Sequence, residues 1–396
     1  MSTSTIPIVK LLSTAELLAF LPVLAGAPVR NRLVIAPFVG NQASRALRIG
    51  TERSPSPDTA RLLATAALGT LSRLDDCTSV SVAIYRDEPF GEVGPQWYDA
   101  FGLVLERLHQ SGYHIKDAAI VAGDGWMQYF EGNLATPRSL SEIEAHTKQI
   151  PDEARIDPAV TLPEPDPRLA RRVTEFVLAR RFDQSERDSF GRLRQVAPPD
   201  PVEFLETALE RDQVQTPART LARLIAQIDS EGAVDRTILQ IAFGPATGAL
   251  SWSSTLAVRE AAAKAGCEPN DILMEQDARG VDSKLNERLS DLLTGQTREI
   301  PSPERLHAGA VLLGRAIAHC PLPDVAWVRC AYAWVQWARG LSSAAHEMIV
   351  ETRRLAPNNS LAPVYHTVFK HMTPEWLFRT DLPNRAARRR AGKKSR

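Results

Sequence analysis

The sequence predicts an α/β domain, built on a mixed sheet with a βαβ unit, followed by an all-helical domain that ends in a helical hairpin. Three observations carry this. Residues 80 to 122 pass from strict apolar alternation through helical spacing to a second apolar run. Residues 151 to 167 hold Pro151, Pro158, Pro163, Pro165 and Pro167 among scattered acids, a composition that continues neither a helix nor a central strand. Beyond that stretch the apolar residues recur at helical intervals and none of the runs alternates. A chain of 396 residues also exceeds the size to which one core usually grows.

The first element is a short amphipathic helix. Leu17 to Ala27, with Ala25 and Ala27 spaced like a cleavage site, imitates a secretory leader. Lys10 is the sole preceding cation, however, and Ser13 with Glu16 forms a capping box, so a helix of the folded protein is expected. Residues 33 to 39 then read as a strand buried on both faces, with Pro37 arguing for an edge or a bulge, and Ala46 to Ile49 as its hairpin partner. Asp58 is expected to cap a helix carrying Leu63, Ala67, Leu71 and Leu74 on one face. Val80, Val82 and Ile84 alternate as a strand. Trp97, Phe101, Val104, Leu105 and Leu108 restore helical spacing until Gly112, and Ala118 to Ala122 forms the next strand. A strand, helix and strand so closely spaced make the two strands parallel, with their carboxyl ends on one edge. Trp126 to Phe130 adds a further strand after the Asp124-Gly125 turn.

These elements give an α/β domain over residues 1–147, a proline-rich linker over 148–167, a helical domain over 168–383 and a basic tail over 384–396. In the helical part, patterns run over 168 to 181, from Thr216-Pro217 to Ile228, from Asp235 to Phe243, and from Val258 to Ala265. Further patterns cover Val281 to Leu293, 304 to 319, 324 to 339 and 342 to 355.

Composition narrows the function classes. Hydrophobic residues make up 44% and charged residues 24%, as in ordinary globular proteins. Lys plus Arg and Asp plus Glu both total 47, so no net field draws the whole molecule to nucleic acid or to an anionic membrane. No apolar run reaches the length of a membrane-spanning helix. The 4 cysteines, Cys77, Cys267, Cys320 and Cys330, lack metal-site or disulfide-framework spacing and fit reduced thiols of a cytoplasmic protein.

The stretch Tyr332-Ala333-Trp334-Val335-Gln336-Trp337-Ala338-Arg339-Gly340, then Ala345, then Leu355-Ala356-Pro357-Asn358-Asn359, resembles one tetratricopeptide repeat. Gly340 permits the tight turn, Ala345 a close helix approach, and Pro357 the stop. One repeat is too few for a solenoid, so a hairpin packed on neighbouring helices is expected. Across most of the chain, the order of features resembles a family known as domain of unknown function number 4192, found in actinobacteria and some of their phages. The resemblance rests on Leu12-Ser13-Thr14-Ala15-Glu16-Leu17-Leu18 with Pro22, Gly26-x-Pro28 leading into Leu33-Val34-Ile35, and Asp124-Gly125-Trp126 with Tyr129. The alanine- and tryptophan-rich hairpin followed by Ser360-Leu361-Ala362 completes it. It implies a fold and no activity.

Parallel strands place Arg86, Asp87 and Glu88 beside Asp124 at the carboxyl edge, where α/β sheets take their ligands. Arg86, Asp87, Asp124 and the adjacent Trp126 are therefore the ligand-binding candidates. Two carboxylates there suit a hydrated divalent cation or an acid–base pair, whereas the plainer reading makes them polar starts of surface loops. No phosphate-binding glycine motif, cofactor signature or catalytic set is legible. His109 with His114, and His366 with His371, are spaced off a common helical face, so no metal ligand is assigned. Trp327, Trp334 and Trp337 share a helical face that is either a peptide-binding surface or, more simply, core. Arg385, Arg388, Arg389, Arg390, Lys393, Lys394 and Arg396, with no acid after Asp381, give a tail suited to sequence-independent nucleic-acid contact. The expected partner of the folded part is another protein bound by the helical module.

Overall fold

A computed structural model describes residues 13–26, 28–43, 46–52, 54–74, 76–131, 136–150, 158–190, 200–210, 215–279, 284–321 and 325–377. The chain forms two compact units that divide between Asp157 and Pro158.

In the first unit the elements run α1 (Thr14–Leu24), β1 (Arg32–Val39), β2 (Gln42–Ala43), β3 (Leu47–Gly50), α2 (Pro57–Leu71), β4 (Ser79–Tyr85), α3 (Phe90–Gln110), β5 (His114–Val121), β6 (Trp126–Gln128) and α4 (Leu140–Thr147). The strand order is β2-β1-β4-β5-β6, with β3 also on β1. β4 and β5 are parallel and the remaining pairs antiparallel, so the sheet is mixed.

Alternation divides the side chains between two layers. Leu33, Ile35, Val80, Val82, Ile84, Ala118 and Ile120 face α2 and α3, where Leu63, Ala67, Leu71, Trp97, Phe101, Val104 and Leu108 complete the core. Val34, Ala36, Phe38, Ala83, Tyr85, Ala119 and Val121 face α1 on the other side. Ser13 caps α1, accepting from the Glu16 N–H at 3.2 Å. Thr14 donates to Asp117 on β5 at 2.7 Å, and desolvation pushes that carboxyl above its usual range.

Local expectations shift in three places. β1 has partners on both sides, β4 on one and β2 and β3 on the other. Pro37 falls between the short ladders to β3, which reach Ile35, and to β2, which start at Phe38, so its missing N–H interrupts neither. Ser56, not Asp58, caps α2, because its hydroxyl accepts from the Thr59 N–H at 3.0 Å while Asp58 pairs with Arg61. β6 ends at Gln128, and Tyr129 begins a 3₁₀ turn.

The second unit is helical: α5 (Pro167–Phe190), α6 (Pro201–Glu210), α7 (Ala218–Gln227), α8 (Glu231–Phe243), α9 (Pro245–Ala265), α10 (Pro269–Ala278), α11 (Lys284–Thr294), α12 (Pro303–Ala318), α13 (Ala326–Ala338), α14 (Ser342–Leu355) and α15 (Leu361–His371). Among its described residues there is no strand. α13 is the central helix, with Tyr332, Trp334 and Trp337 no more than 2% exposed, so this aromatic face is core. Their polar atoms are satisfied internally: the Trp334 and Trp337 indole N–H groups donate to the Leu293 and Met372 carbonyls at 2.8 and 3.1 Å. α13 and α14 form the expected hairpin around Gly340, whose φ of 77° suits glycine.

Ala159, Val160 and Leu162, late in the proline-rich stretch, pack into this unit, while residues 163–166 stay exposed. Ala159 and Val160 are buried in a 3₁₀ turn. The Ala159 carbonyl accepts from Tyr332 Oη at 3.1 Å and Gln336 Nε2 at 2.6 Å, with Arg339 Nη1 at 3.5 Å. Further along, the Asp166 N–H donates to His319 Nε2 at 3.1 Å.

Candidate functional site at the carboxyl edge of the sheet

Four chain segments meet where β4 and β5 end. The parallel register sets Tyr85 beside Val121, so the loops 86–88 and 122–124 leave the sheet together. The antiparallel register sets Arg32 opposite Tyr85 and Gly50 opposite Arg32. Arg30 and Asn31, preceding β1, and Thr51 and Glu52, following β3, therefore reach the same edge.

Arg86 continues the ladder, donating its N–H to the Val121 carbonyl at 2.8 Å, and turns its side chain inward until 3% is exposed. Glu88 receives its guanidinium in a fork, at 3.1 Å from Nε and 2.7 Å from Nη2, while Nη1 donates to Thr51 Oγ1 at 2.9 Å and to the Glu52 carbonyl at 2.8 Å. The Trp97 ring lies 5.6 Å away. Asp87 points outward. Its two oxygens accept from Arg30 Nε at 3.1 Å and Asn31 Nδ2 at 2.9 Å, and its own N–H donates to Asn31 Oδ1 at 3.2 Å. Asn31 holds a φ of 52°, the left-handed region that Asn tolerates, to make this reciprocal pair.

Asp124 caps α3 across the edge, with Oδ1 accepting from the Phe90 N–H at 2.6 Å. Gly123 makes the approach possible. Its N–H donates to the Glu88 carbonyl at 2.9 Å, and a methyl group at its Cα would collide with the Asp87 carbonyl oxygen. Trp126 belongs to the other side of the sheet. It is fully buried in the α1 layer, donates Nε1–H to the Ser139 carbonyl at 3.2 Å, and carries the Arg138 guanidinium over its ring at 5.1 Å.

The structure thus brings Arg86, Asp87 and Asp124 to one edge and takes Trp126 away from it. Each of the three is held by the fold itself. Among the described residues no three His, Cys, Asp or Glu side chains are arranged to hold a metal. A shallow groove of about 320 Å³ lies toward the far end of α3, lined by Arg61, Leu103, Glu106, Arg107 and Gln110. The basic tail lies outside the described residues. Sequence reasoning missed Arg30, Asn31, Thr51 and Glu52, which follow from the antiparallel pairing of β1. No family model, curated protein or solved structure matches this chain.

Proposed function

We propose that the protein is a non-catalytic interaction protein whose helical unit docks another protein. The observation that carries this reading is the contrast between the two units. At the sheet edge, where an α/β enzyme aims polar groups at substrate, Arg86 and Asp124 turn polar atoms to the fold and Asp87 is engaged at the surface by Arg30 and Asn31. On the helical unit, α9 and α10 pack together and leave Leu250, Leu256, Leu273 and Met274 between 39% and 71% exposed. Apolar side chains at that exposure on adjoining helices suit a protein interface better than solvent.

The test is chemical cross-linking in the native cell followed by co-purification, comparing wild type with the double variant Leu273→Glu, Met274→Glu. One stoichiometric partner is expected with wild type and is lost with the variant at unchanged melting temperature. Equal recovery with both proteins refutes the assignment to α10. An enzymatic use of the edge would require Asp87 to leave Arg30 and Asn31, and it draws less support. Membership of the actinobacterial family of unknown function stays a proposal, resting on the motifs quoted above.

A second reading rests on the tail, whose cations from Arg385 to Arg396 are unopposed by acids. Each phosphate neutralised steepens the dependence of log K on log salt by about 0.9. Deleting residues 384–396 is therefore expected to flatten the salt slope for random duplex DNA by several units. An unchanged slope removes the tail from the interaction.

A further inference from the structure

α14 and α15 pack together, with Ala345 and Ile349 buried on the first helix and Ala362, Tyr365 and Phe369 on the second. The start of α15 is fixed, because Asn359 Oδ1 accepts from the Ala362 N–H at 2.9 Å and from the Cys330 thiol at 3.4 Å. His346 follows Ala345 and His366 follows Tyr365, so both stand at the shoulder of this contact, half-buried. Their rings meet, with centroids 4.8 Å apart and planes inclined at 37°. His366 Nδ1 is buried and has no hydrogen-bond partner among the described residues.

Ring packing alone does not account for this pair. Aromatic rings favour offset-stacked or edge-to-face contact, and an inclination of 37° is neither. A buried ring nitrogen left without a partner also costs free energy. Both features suit two ligands of one ion. With metal–nitrogen bonds of about 2.1 Å, imidazole centroids stand about 4.5 Å apart when the bonds meet at a right angle and about 5.2 Å apart at the tetrahedral angle. The observed separation falls between the two, and ligating rings are free to turn about their metal–nitrogen bonds.

We propose that His346 of α14 and His366 of α15 together bind one divalent transition ion of the borderline class, zinc, nickel or copper, with His366 Nδ1 as one ligand atom. Imidazole suits these ions, whereas magnesium and calcium take oxygen. Each imidazole ligates through one nitrogen, so the other can keep a protein partner. Two protein ligands are fewer than the three or four of a permanent zinc site, so water completes the shell and the ion exchanges. The ion ties the beginning of α14 to the later half of α15, at the end away from their connection.

The full chain, stripped with EDTA and desalted, is melted with and without zinc, nickel or magnesium chloride in molar excess. Wild type is expected to gain roughly 2–6 °C with zinc or nickel and nothing with magnesium, and His346→Gln and His366→Gln are expected to gain much less. In EDTA both variants should melt close to wild type, since glutamine keeps a polar side chain at the same half-buried positions. A readout on wild type alone covers the case of a variant that folds poorly. Bound zinc or nickel should slow carbethoxylation of both His346 and His366 by diethyl pyrocarbonate, read by peptide mass spectrometry, while the exposed His109 and His114 react as before. The proposal is overturned if neither zinc nor nickel moves the wild-type melting temperature, if either variant responds as wild type does, or if His346 and His366 are labelled equally fast with and without metal.

Discussion

A carboxyl group displaced from its ordinary range stores a pH dependence that can be read from its sign. The unfolded Asp235 carboxyl loses its proton near pH 4, whereas in the fold desolvation and Glu231 hold that proton until about pH 7. Below pH 4 both states are protonated and the group contributes nothing. Between 4 and 7 the folded state binds more protons than the unfolded one, so stability must fall as pH rises, and above 7 the loss is complete. With allowance for partial solvent screening, the loss is on the order of 2 kcal/mol. Urea melts of wild type and Asp235→Asn at pH 5 and pH 8, free of divalent ions, should show the difference between the two proteins growing toward pH 8. A constant difference would mean that Asp235 is not desolvated. Cys330 shows the same physics in a group with no exposed surface: burial pushes its thiol up to about 12, which keeps it protonated and unreactive.

At the scale of elements, periodicity carried the reading where side chains divide between two environments. The alternation in β4, the stripe on α3 and the parallel run of β5 are written directly in the sequence, and so was the meeting of the 86–88 and 124 loops. The partners of those loops were not. Arg30, Asn31, Thr51 and Glu52 arrive through the register of β1 against β4 and of β3 against β1, and hydrophobic pattern leaves that register open. α10 escaped for another reason, because Ile272 is its one buried side chain among those described and a single position has no period. Asp124 shows how a catalytic-looking residue can serve an element. Its carboxylate caps α3, which enters the core with Trp97 and Phe101, so Asp124→Ala should cost about 1 kcal/mol in chemical denaturation, within the usual span for a lost cap. Asp124→Asn or Asp124→Ser should restore most of it. A ligand-binding role would predict no such rescue pattern and no loss of stability.

Over the whole molecule the chain forms two folding units, each with core residues of its own. The composition of 151–167 did not foretell that Ala159 and Val160 are interior to the helical unit, since prolines mark irregular backbone without saying whether that backbone is buried. Residues 158–377 expressed alone are therefore expected to melt in one cooperative transition. A fragment beginning at 168 loses Ala159 and Val160 and leaves the buried Tyr332 and Gln336 donors without their acceptor, and it should be less stable by roughly 3 kcal/mol. Equal urea midpoints for the two fragments would show that the contact is dispensable. No helix among the described residues is long and apolar enough to cross a membrane.

The bonds on the Ala159 carbonyl also set an order of events. Tyr332 and Gln336 lie 173 and 177 residues further along the chain, so on the ribosome the acceptor is made long before its donors. The first unit has by then all its strands, and the helices from α5 to α12 have emerged. Closing over Ala159 is thus a terminal step of synthesis. A nascent chain halted before α13 would carry a finished sheet and a helical unit still open along that seam.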